Sequence, residues 1–419
     1  MAVGLEVLQN YHPVNGIRIG IAQAGIKYEN RNDLVIFELA EGSRVSGVFT
    51  LNSFCAAPVQ VAKKHLAEAD TRYLVINTGN ANAGTGQQGM VDAIATCEAL
   101  AALAKVESNQ ILPFSTGVIG EPLPMDKLFS GLSPAMGNLS NNAWSTAAEG
   151  IMTTDTLPKG YSQQIEIAAQ SQEANQSLES NKETISISGI SKGAGMIMPN
   201  MATMLAYLTT DAVIAKPLLD VMCKEMADKS FNRVTVDGDT STNDSCILIA
   251  TAQADMTEIS SKDDSRYPTV FDALLEAFMV LSHAIVRDGE GATKFVTMEV
   301  QQAASVQEAL DVAYTVAHSP LVKTALFASD ANWGRILAAV GRAGVKNMIL
   351  EDIDIYLDDV CIVKSGGRAA SYTEEAGAAI FAQQEITISI RLGRGEITER
   401  VWTTDLSHDY VSINADYRS

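Results

Sequence analysis

The stretch Lys192-Gly193-Ala194-Gly195-Met196-Ile197-Met198-Pro199-Asn200-Met201-Ala202-Thr203-Met204-Leu205 sets a threonine directly after a small alanine, just ahead of an apolar run, Leu205-Ala206-Tyr207-Leu208. A threonine inside a chain is a poor nucleophile, because its hydroxyl is weakly acidic and no base accompanies it. Cutting the Ala202–Thr203 bond would give Thr203 a free α-amine beside its Oγ, the threonine-plus-N-terminus route to an activated nucleophile. An α-amine titrates near neutrality and is matched to that task. Taken alone, a loop rich in Gly and Met has a plainer explanation as packing. The residues around it have to decide.

Outward from this stretch lie other segments whose chemistry fits acyl transfer. Ser115-Thr116-Gly117 follows the apolar Ile111-Leu112-Pro113-Phe114. A hydroxyl beside an unhindered glycine N–H supplies the two converging donors of an oxyanion hole, although a simple turn explains the same residues. Lys192 could hold a substrate carboxylate or lower the pKa of a nearby amine by charge repulsion; a surface lysine is the ordinary alternative. Glu290, between Gly289 and Gly291, has neighbours that permit close approach of a ligand, its carboxylate being able to pair with an ammonium group. Against that stands a plain turn.

The Lys192–Leu205 stretch resembles the signature of the ornithine acetyltransferases (glutamate N-acetyltransferases) of arginine biosynthesis. There a Lys-Gly-x-Gly-Met run leads to an Ala-Thr-Met-Leu cleavage site. Further motifs follow in family order: Asn77-Thr78-Gly79-Asn80-Ala81-Asn82-Ala83, Ser115–Gly120, Met152–Thr156, Asp288–Lys294, Ser319–Thr324 and Asp330–Arg335, with the tail Tyr410–Ser419. The resemblance implies an α/β fold, an αββα-type sandwich with a smaller C-terminal α/β domain. It implies self-cleavage into residues 1–202 and 203–419, the second chain beginning with the nucleophile, and assembly of both fragments as a heterotetramer. Thr116 and Gly117 become the oxyanion pair. Lys192, Glu290, Asn414, Ser419, Thr203 itself and one threonine of Thr153-Thr154 become substrate contacts, Thr153 being chosen by its spacing from Thr116-Gly117.

The implied activity is transfer of acetyl from N-acetylornithine to glutamate through an acetyl-threonine, with acetyl-CoA as a second donor in bifunctional members. Two other readings stand beside it. One is an N-terminal-threonine amidohydrolase or aminopeptidase, with water as acceptor. The other is an uncut protein that binds amino acids in the same cleft.

Composition narrows the field. The chain has 419 residues and a formal net charge of −20, which argues against nucleic acid or an anionic membrane as partner. Five scattered cysteines without a C-x-x-C pair read as reduced thiols of a cytoplasmic protein. The N-terminal residues lack the basic and apolar regions of a secretory signal, and no run approaches the roughly 20 apolar residues of a membrane span. The histidines and cysteines show no metal-ligand spacing, so no metal and no cofactor are expected. Gly84-Thr85-Gly86-Gln87-Gln88-Gly89 matches a dinucleotide-binding pattern, but its connection from the preceding strand is too long for the tight turn that motif needs. Asp237–Asp244 is rich in oxygen ligands yet lacks the spacing of a calcium loop, and reads as a polar turn lining the site.

Periodicity supplies the elements. Strands are expected at Ile17–Ile21, Leu34–Leu39, Val45–Leu51, Tyr73–Asn77, Ser245–Ala252, Phe295–Val300 and Glu385–Leu392, with helices at Met90–Val106, Leu218–Ala227, Val270–Val286 and Val306–Val316. Residues 163–183 read as a polar hairpin loop or insertion. The Gly393-Arg394-Gly395 turn suggests that the strand at Glu385–Leu392 pairs as a hairpin with Glu396–Trp402. Hairpins of this kind favour antiparallel or mixed sheets.

Overall fold

The computed structural model describes residues 2–168, 182–198 and 204–415. In chain order the strands are β1 (Ile17–Ala22), β2 (Leu34–Leu39), β3 (Arg44–Phe49), β4 (Tyr73–Asn80), β5 (Ile111–Val118), β6 (Lys159–Ala168), β7 (Lys182–Lys192), β8 (Leu205–Thr210), β9 (Ser245–Ala250), β10 (Phe295–Ala303), β11 (Asp354–Leu357), β12 (Val360–Lys364), β13 (Gly367–Arg368), β14 (Glu385–Arg391) and β15 (Ile397–Thr404). The α-helices are α1 (Ala57–Glu68), α2 (Gly86–Ala104), α3 (Met125–Gly137), α4 (Trp144–Gly150), α5 (Lys216–Lys229), α6 (Tyr267–Arg287), α7 (Val306–Ala317), α8 (Pro320–Phe327), α9 (Trp333–Gly341), α10 (Glu374–Phe381) and α11 (His408–Ala415).

The strands form three sheets, ordered β1-β2-β4-β5, β3-β9-β8-β7-β6 and β13-β12-β11-β14-β10-β15. All three are mixed: β4–β5, β8–β9 and β10–β14 run parallel within otherwise antiparallel ladders. The first two sheets face each other. Ile19, Phe37, Ile76 and Phe114 from one share a buried cluster with Ile190, Tyr207 and Ile249 from the other. At its centre Phe37 and Phe114 pack against the Tyr207 ring at centroid distances of 5.4 and 5.3 Å, contacts that contribute about 0.5–1.5 kcal/mol each beyond burial.

Apolar residues of α1, α2 and α3 cover the outer face of the first sheet, and those of α5 and α6 the outer face of the second. Helix, sheet, sheet, helix is therefore the order of layers: the expected αββα sandwich. The third sheet, with α7, α9 and α10, forms a separate C-terminal core.

Two expectations change. The strands β14 and β15 are not hairpin partners. The strand β10 lies between them, parallel to β14 and antiparallel to β15. The Gly393–Gly395 turn crosses the end of β10, where the amides of Leu392, Arg394 and Gly395 donate to the carbonyls of Gln301 and Gln302. Strict alternation reports which face is buried, not which strand is the neighbour. Residues 163–168 and 182–183 are strand, the ends of the antiparallel β6–β7 pair, while 169–181 lie outside the described residues. Helix α6 is long and apolar enough to cross a membrane by length and composition, yet it carries Asp272 and Glu276 and buries Phe271, Leu274, Phe278, Leu281 and Ile285 against β6 and β7. The five thiols are free, three of them buried.

Candidate active site

The two facing sheets bring several strand ends to one place: the C-terminal ends of β5 and β7 and the N-terminal ends of β8 and β9. A cavity of about 270 Å³ opens there. Thr116, Gly117, Thr153, Thr154, Lys192, Glu290 and Asn414 all line it, together with Met204 and Ser241–Asp244. Every candidate residue within the described chain thus converges on one site. Ala202, Thr203 and Ser419 lie outside the described residues; Met204, the residue after Thr203, is in the cavity wall.

Thr116 and Gly117 sit where the β4–β5 register shifts. Gly117 has φ +134, and a Cβ there would lie 2.2 Å from the Gly79 carbonyl carbon, so only glycine lets the two strands close at this point. Asn243 ties the two sheets together at the same level, its Nδ2 donating to the Ala81 carbonyl at 2.7 Å and the Ser115 carbonyl at 3.0 Å. The Asn77–Ala83 motif acts as a brace for the turn that follows β4: Asn77 Nδ2 donates to the Asn80 carbonyl and Asn82 Nδ2 to the Gly89 carbonyl. The Gly84–Gly89 stretch begins in this braced turn and continues into the first turn of α2.

Lys192, at the end of β7, is 3% exposed. Its Nζ lies 3.9 Å from Asp155 Oδ2. Burial lowers its pKa, and Asp155 opposes the shift. Asp155 is fully enclosed. It accepts from Lys159 Nζ at 2.6 Å, Gly193 N at 2.7 Å and Thr153 N at 2.9 Å. Burial alone would raise this carboxyl, but Lys159 and Lys192 hold it below the usual carboxylate range. Lys159 bridges onward to Asp288 at 2.6 Å, and Asp288 in turn accepts from the Thr156 and Leu157 amides. One buried chain of charge therefore positions Lys192, the backbone of Thr153 and the start of the Gly193–Met198 segment. Both Thr153 and Thr154 face the cavity.

Glu290 lies over Gly195. A Cβ on Gly195 would meet Glu290 Oε2 at 2.3 Å. The Glu290 amide donates to the Ala194 carbonyl at 2.8 Å, and Asn414 Nδ2 donates to Glu290 Oε2 at 2.7 Å. Two candidates 124 residues apart in sequence thus touch each other. Asp237 holds the far side of the same segment, accepting from the Met196 and Ile197 amides at 2.6 and 2.9 Å.

Asp155, Asp237, Asn243 and Asp244 are the site residues that sequence reading left without a role. The first belonged to a quoted motif and the others to the polar turn, which does line the cavity. Among the described residues, no group of three or more His, Cys, Asp or Glu could hold a metal ion.

Comparison with known proteins concerns the chain as a whole. The ArgJ family model matches residues 18–419. The chain is 57% identical over 419 residues to the arginine biosynthesis bifunctional protein ArgJ of Pseudomonas fluorescens, covering 100% of both chains. It is 54% identical over 420 residues to the protein of that name from Psychrobacter arcticus, again covering 100% of both. Among solved structures, the bifunctional protein argJ from Bacillus halodurans is 39% identical, covering 51% of this chain and 99% of that one, with a TM-score of 0.49.

Proposed function

The chain belongs to the ArgJ family, and from that premise we propose that it is a self-cleaving acetyltransferase of arginine biosynthesis, moving acetyl from N-acetylornithine to glutamate through an ester on Thr203. The observation that carries this reading is the convergence of Thr116, Gly117, Lys192, Glu290 and Asn414 on a single cavity whose wall continues into Met204.

In maturation, Thr203 Oγ attacks the Ala202 carbonyl and the amide nitrogen leaves as the Thr203 amine. Water then hydrolyses the ester, giving chains 1–202 and 203–419. In turnover the amine takes the Oγ proton as Oγ attacks the acetyl carbonyl of N-acetylornithine. The Thr116 hydroxyl and Gly117 N–H stabilise the oxyanion, and the leaving ornithine nitrogen receives the proton. Glutamate enters the emptied pocket, and its amine takes acetyl from the ester, restoring Thr203. Lys192 pairs with the substrate α-carboxylate and Glu290 with the ornithine side-chain ammonium; Thr153, Asn414 and Ser419 complete the contacts. Both substrates are α-amino acids of similar length, which suits one pocket used in turn. Acetyl-CoA, an acetyl thioester, is proposed as a second donor to the same hydroxyl.

The test has two parts. Intact mass under denaturing conditions gives two fragments meeting at Ala202–Thr203, and Thr203→Ala leaves one chain. With N-acetylornithine alone, the enzyme releases ornithine as a burst near one equivalent; adding glutamate restores turnover with N-acetylglutamate in equal amount. Continuous release of acetate regardless of glutamate makes the protein an amidohydrolase. An uncut chain that is nonetheless active sinks the amine-as-base mechanism.

A further inference from the structure

Lys323, in the Ser319–Thr324 motif, does not line the cavity, and the reaction scheme gives it no task. It is nevertheless 4% exposed on α8, with its ammonium directed at the end of β15. The Nζ donates to Thr403 Oγ1 at 3.1 Å, to Thr404 Oγ1 at 3.3 Å and to the Thr404 carbonyl. Its own carbonyl accepts from the Leu406 amide at 3.2 Å. Burying an ammonium is costly even when it is hydrogen-bonded, so a lysine kept here calls for a use. Burial lowers its pKa to about 8, and the carboxylates of Asp405 and Asp237 oppose the shift.

What Lys323 grips is the short link from β15 to α11. Helix α11 buries none of its residues, so apolar burial does little to fix it. Polar contacts do so instead: Ser407 Oγ donates to the Gly291 carbonyl at 2.6 Å, Tyr410 Oη to Asp237 Oδ2 at 3.2 Å and Asn414 Nδ2 to Glu290 Oε2 at 2.7 Å. Tyr410 and Asn414, one helical turn apart, share a face of α11. The link also lies against the Glu290 loop. A Cβ on Gly289 would stand 3.0 Å from Thr404 Cγ2, and one on Gly291 2.6 Å from the Tyr410 amide nitrogen. Asp405 pins the far end of that loop, accepting from the Thr293 amide at 2.8 Å and the Lys294 amide at 3.1 Å.

We propose that Lys323 and Tyr410 are positioning residues that hold α11 over the Glu290 loop, and that they thereby set the cavity's preference for a ligand with a side-chain ammonium. The inference deepens the acetyltransferase reading and rests on its pairing of ornithine with Glu290. The Asn414 amide orients the Glu290 carboxylate. Asn414 is placed in turn by the Lys323 clamp at the start of the helix and by Tyr410 one turn before it. A carboxylate held in register attracts an ammonium and repels a second carboxylate. Loosening it therefore weakens the hold on ornithine. Glutamate, whose side chain carries no ammonium, loses nothing.

The experiment is titration calorimetry of ornithine and of glutamate with wild type, Lys323→Met and Tyr410→Phe. Beside it stand kcat/KM for N-acetylornithine and for glutamate, which isolate the two half-reactions of a ping-pong enzyme. Expected in both variants is about a tenfold loss of ornithine affinity, the scale of one hydrogen bond to a charged group, with glutamate affinity unchanged. The two kcat/KM values divide in the same way. Equal losses for both amino acids mark a general disturbance of the fold and overturn the assignment, as does wild-type ornithine affinity in the variants. If Lys323→Met fails to fold, Tyr410→Phe decides alone, since it removes one hydroxyl at a half-buried position. A wild type that binds ornithine but moves no acetyl to glutamate refutes the transferase reading, and the calorimetric split then upholds or overturns the positioning role by itself. A wild type with no measurable affinity for ornithine overturns both.

Discussion

Replacing Gly195 by alanine separates the geometry of the site from the stability of the fold. The new Cβ would stand 2.3 Å from Glu290 Oε2 and 2.4 Å from its Cδ. To reach ordinary contact the carboxylate must retreat by about 1 Å, and a displacement of that size at a substrate-positioning group can cost roughly 100-fold in rate. What yields is the far end of a side chain, so the fold loses little, about 1 kcal/mol or less on melting. The retreat also strains the 2.7 Å hydrogen bond from Asn414. The assay is steady-state kinetics with N-acetylornithine and glutamate, beside intact mass to count cleaved chains. Expected are a kcat/KM near one hundredth of wild type, a nearly unchanged melting temperature and complete cleavage. A double-mutant cycle sharpens the test. If the damage runs through Glu290, adding Gly195→Ala to Glu290→Ala costs almost nothing more. Wild-type kcat/KM in Gly195→Ala, or fully additive losses in the cycle, would refute the placement of Glu290 as a substrate contact.

Thr116→Ala should slow both self-cleavage and acetyl transfer by about 10²–10³-fold with the melting temperature preserved; wild-type rates for both would return Thr116 to an ordinary turn. Gly117→Ala behaves oppositely. Its φ of +134 and a Cβ 2.2 Å from backbone predict a loss of several kcal/mol in chemical denaturation, or insoluble protein. Asp155→Asn breaks a buried ion pair and should cost about 3–5 kcal/mol in the same assay. The carboxyl also sets a pH signature, since its folded pKa lies below the unfolded value of about 3.9. Its contribution is complete above pH 4 or so and is lost as pH falls towards the folded value, so the gap between wild type and Asp155→Asn should narrow on acidification.

The sandwich was legible because its strands and helices are marked in the sequence: the apolar run Leu34–Leu39 is β2 with the same bounds, and the helix expected at Met90–Val106 is α2, begun slightly earlier at Gly86. Partnership was not legible. The Glu385–Leu392 alternation marks a strand correctly, yet its neighbours are β10 and β11, chosen by the packing of the whole C-terminal core. The site divides in the same way. Thr116, Gly117, Lys192 and Glu290 stand in local contexts whose chemistry can be argued residue by residue. Asp155 and Asp244 matter through what folding places beside them, a lysine four positions away and an amide forty positions away. Nothing local distinguishes either from the acidic residues of an exposed turn.

The antiparallel pairing of β7 with β8, Lys192 opposite Leu205, has a consequence for the life of the molecule. The second sheet interleaves β3, β6 and β7, which precede residue 203, with β8 and β9, which follow it. A cut at Ala202–Thr203 would therefore leave two chains woven through one sheet, neither with a complete sandwich of its own. Folding begins as a one-body event and, once the nick is made, its reversal becomes a two-body one. Lost mature protein would have to reassemble at a rate set by concentration, so each molecule would be built once, as a single thread, and afterwards persist on the slowness of its unfolding.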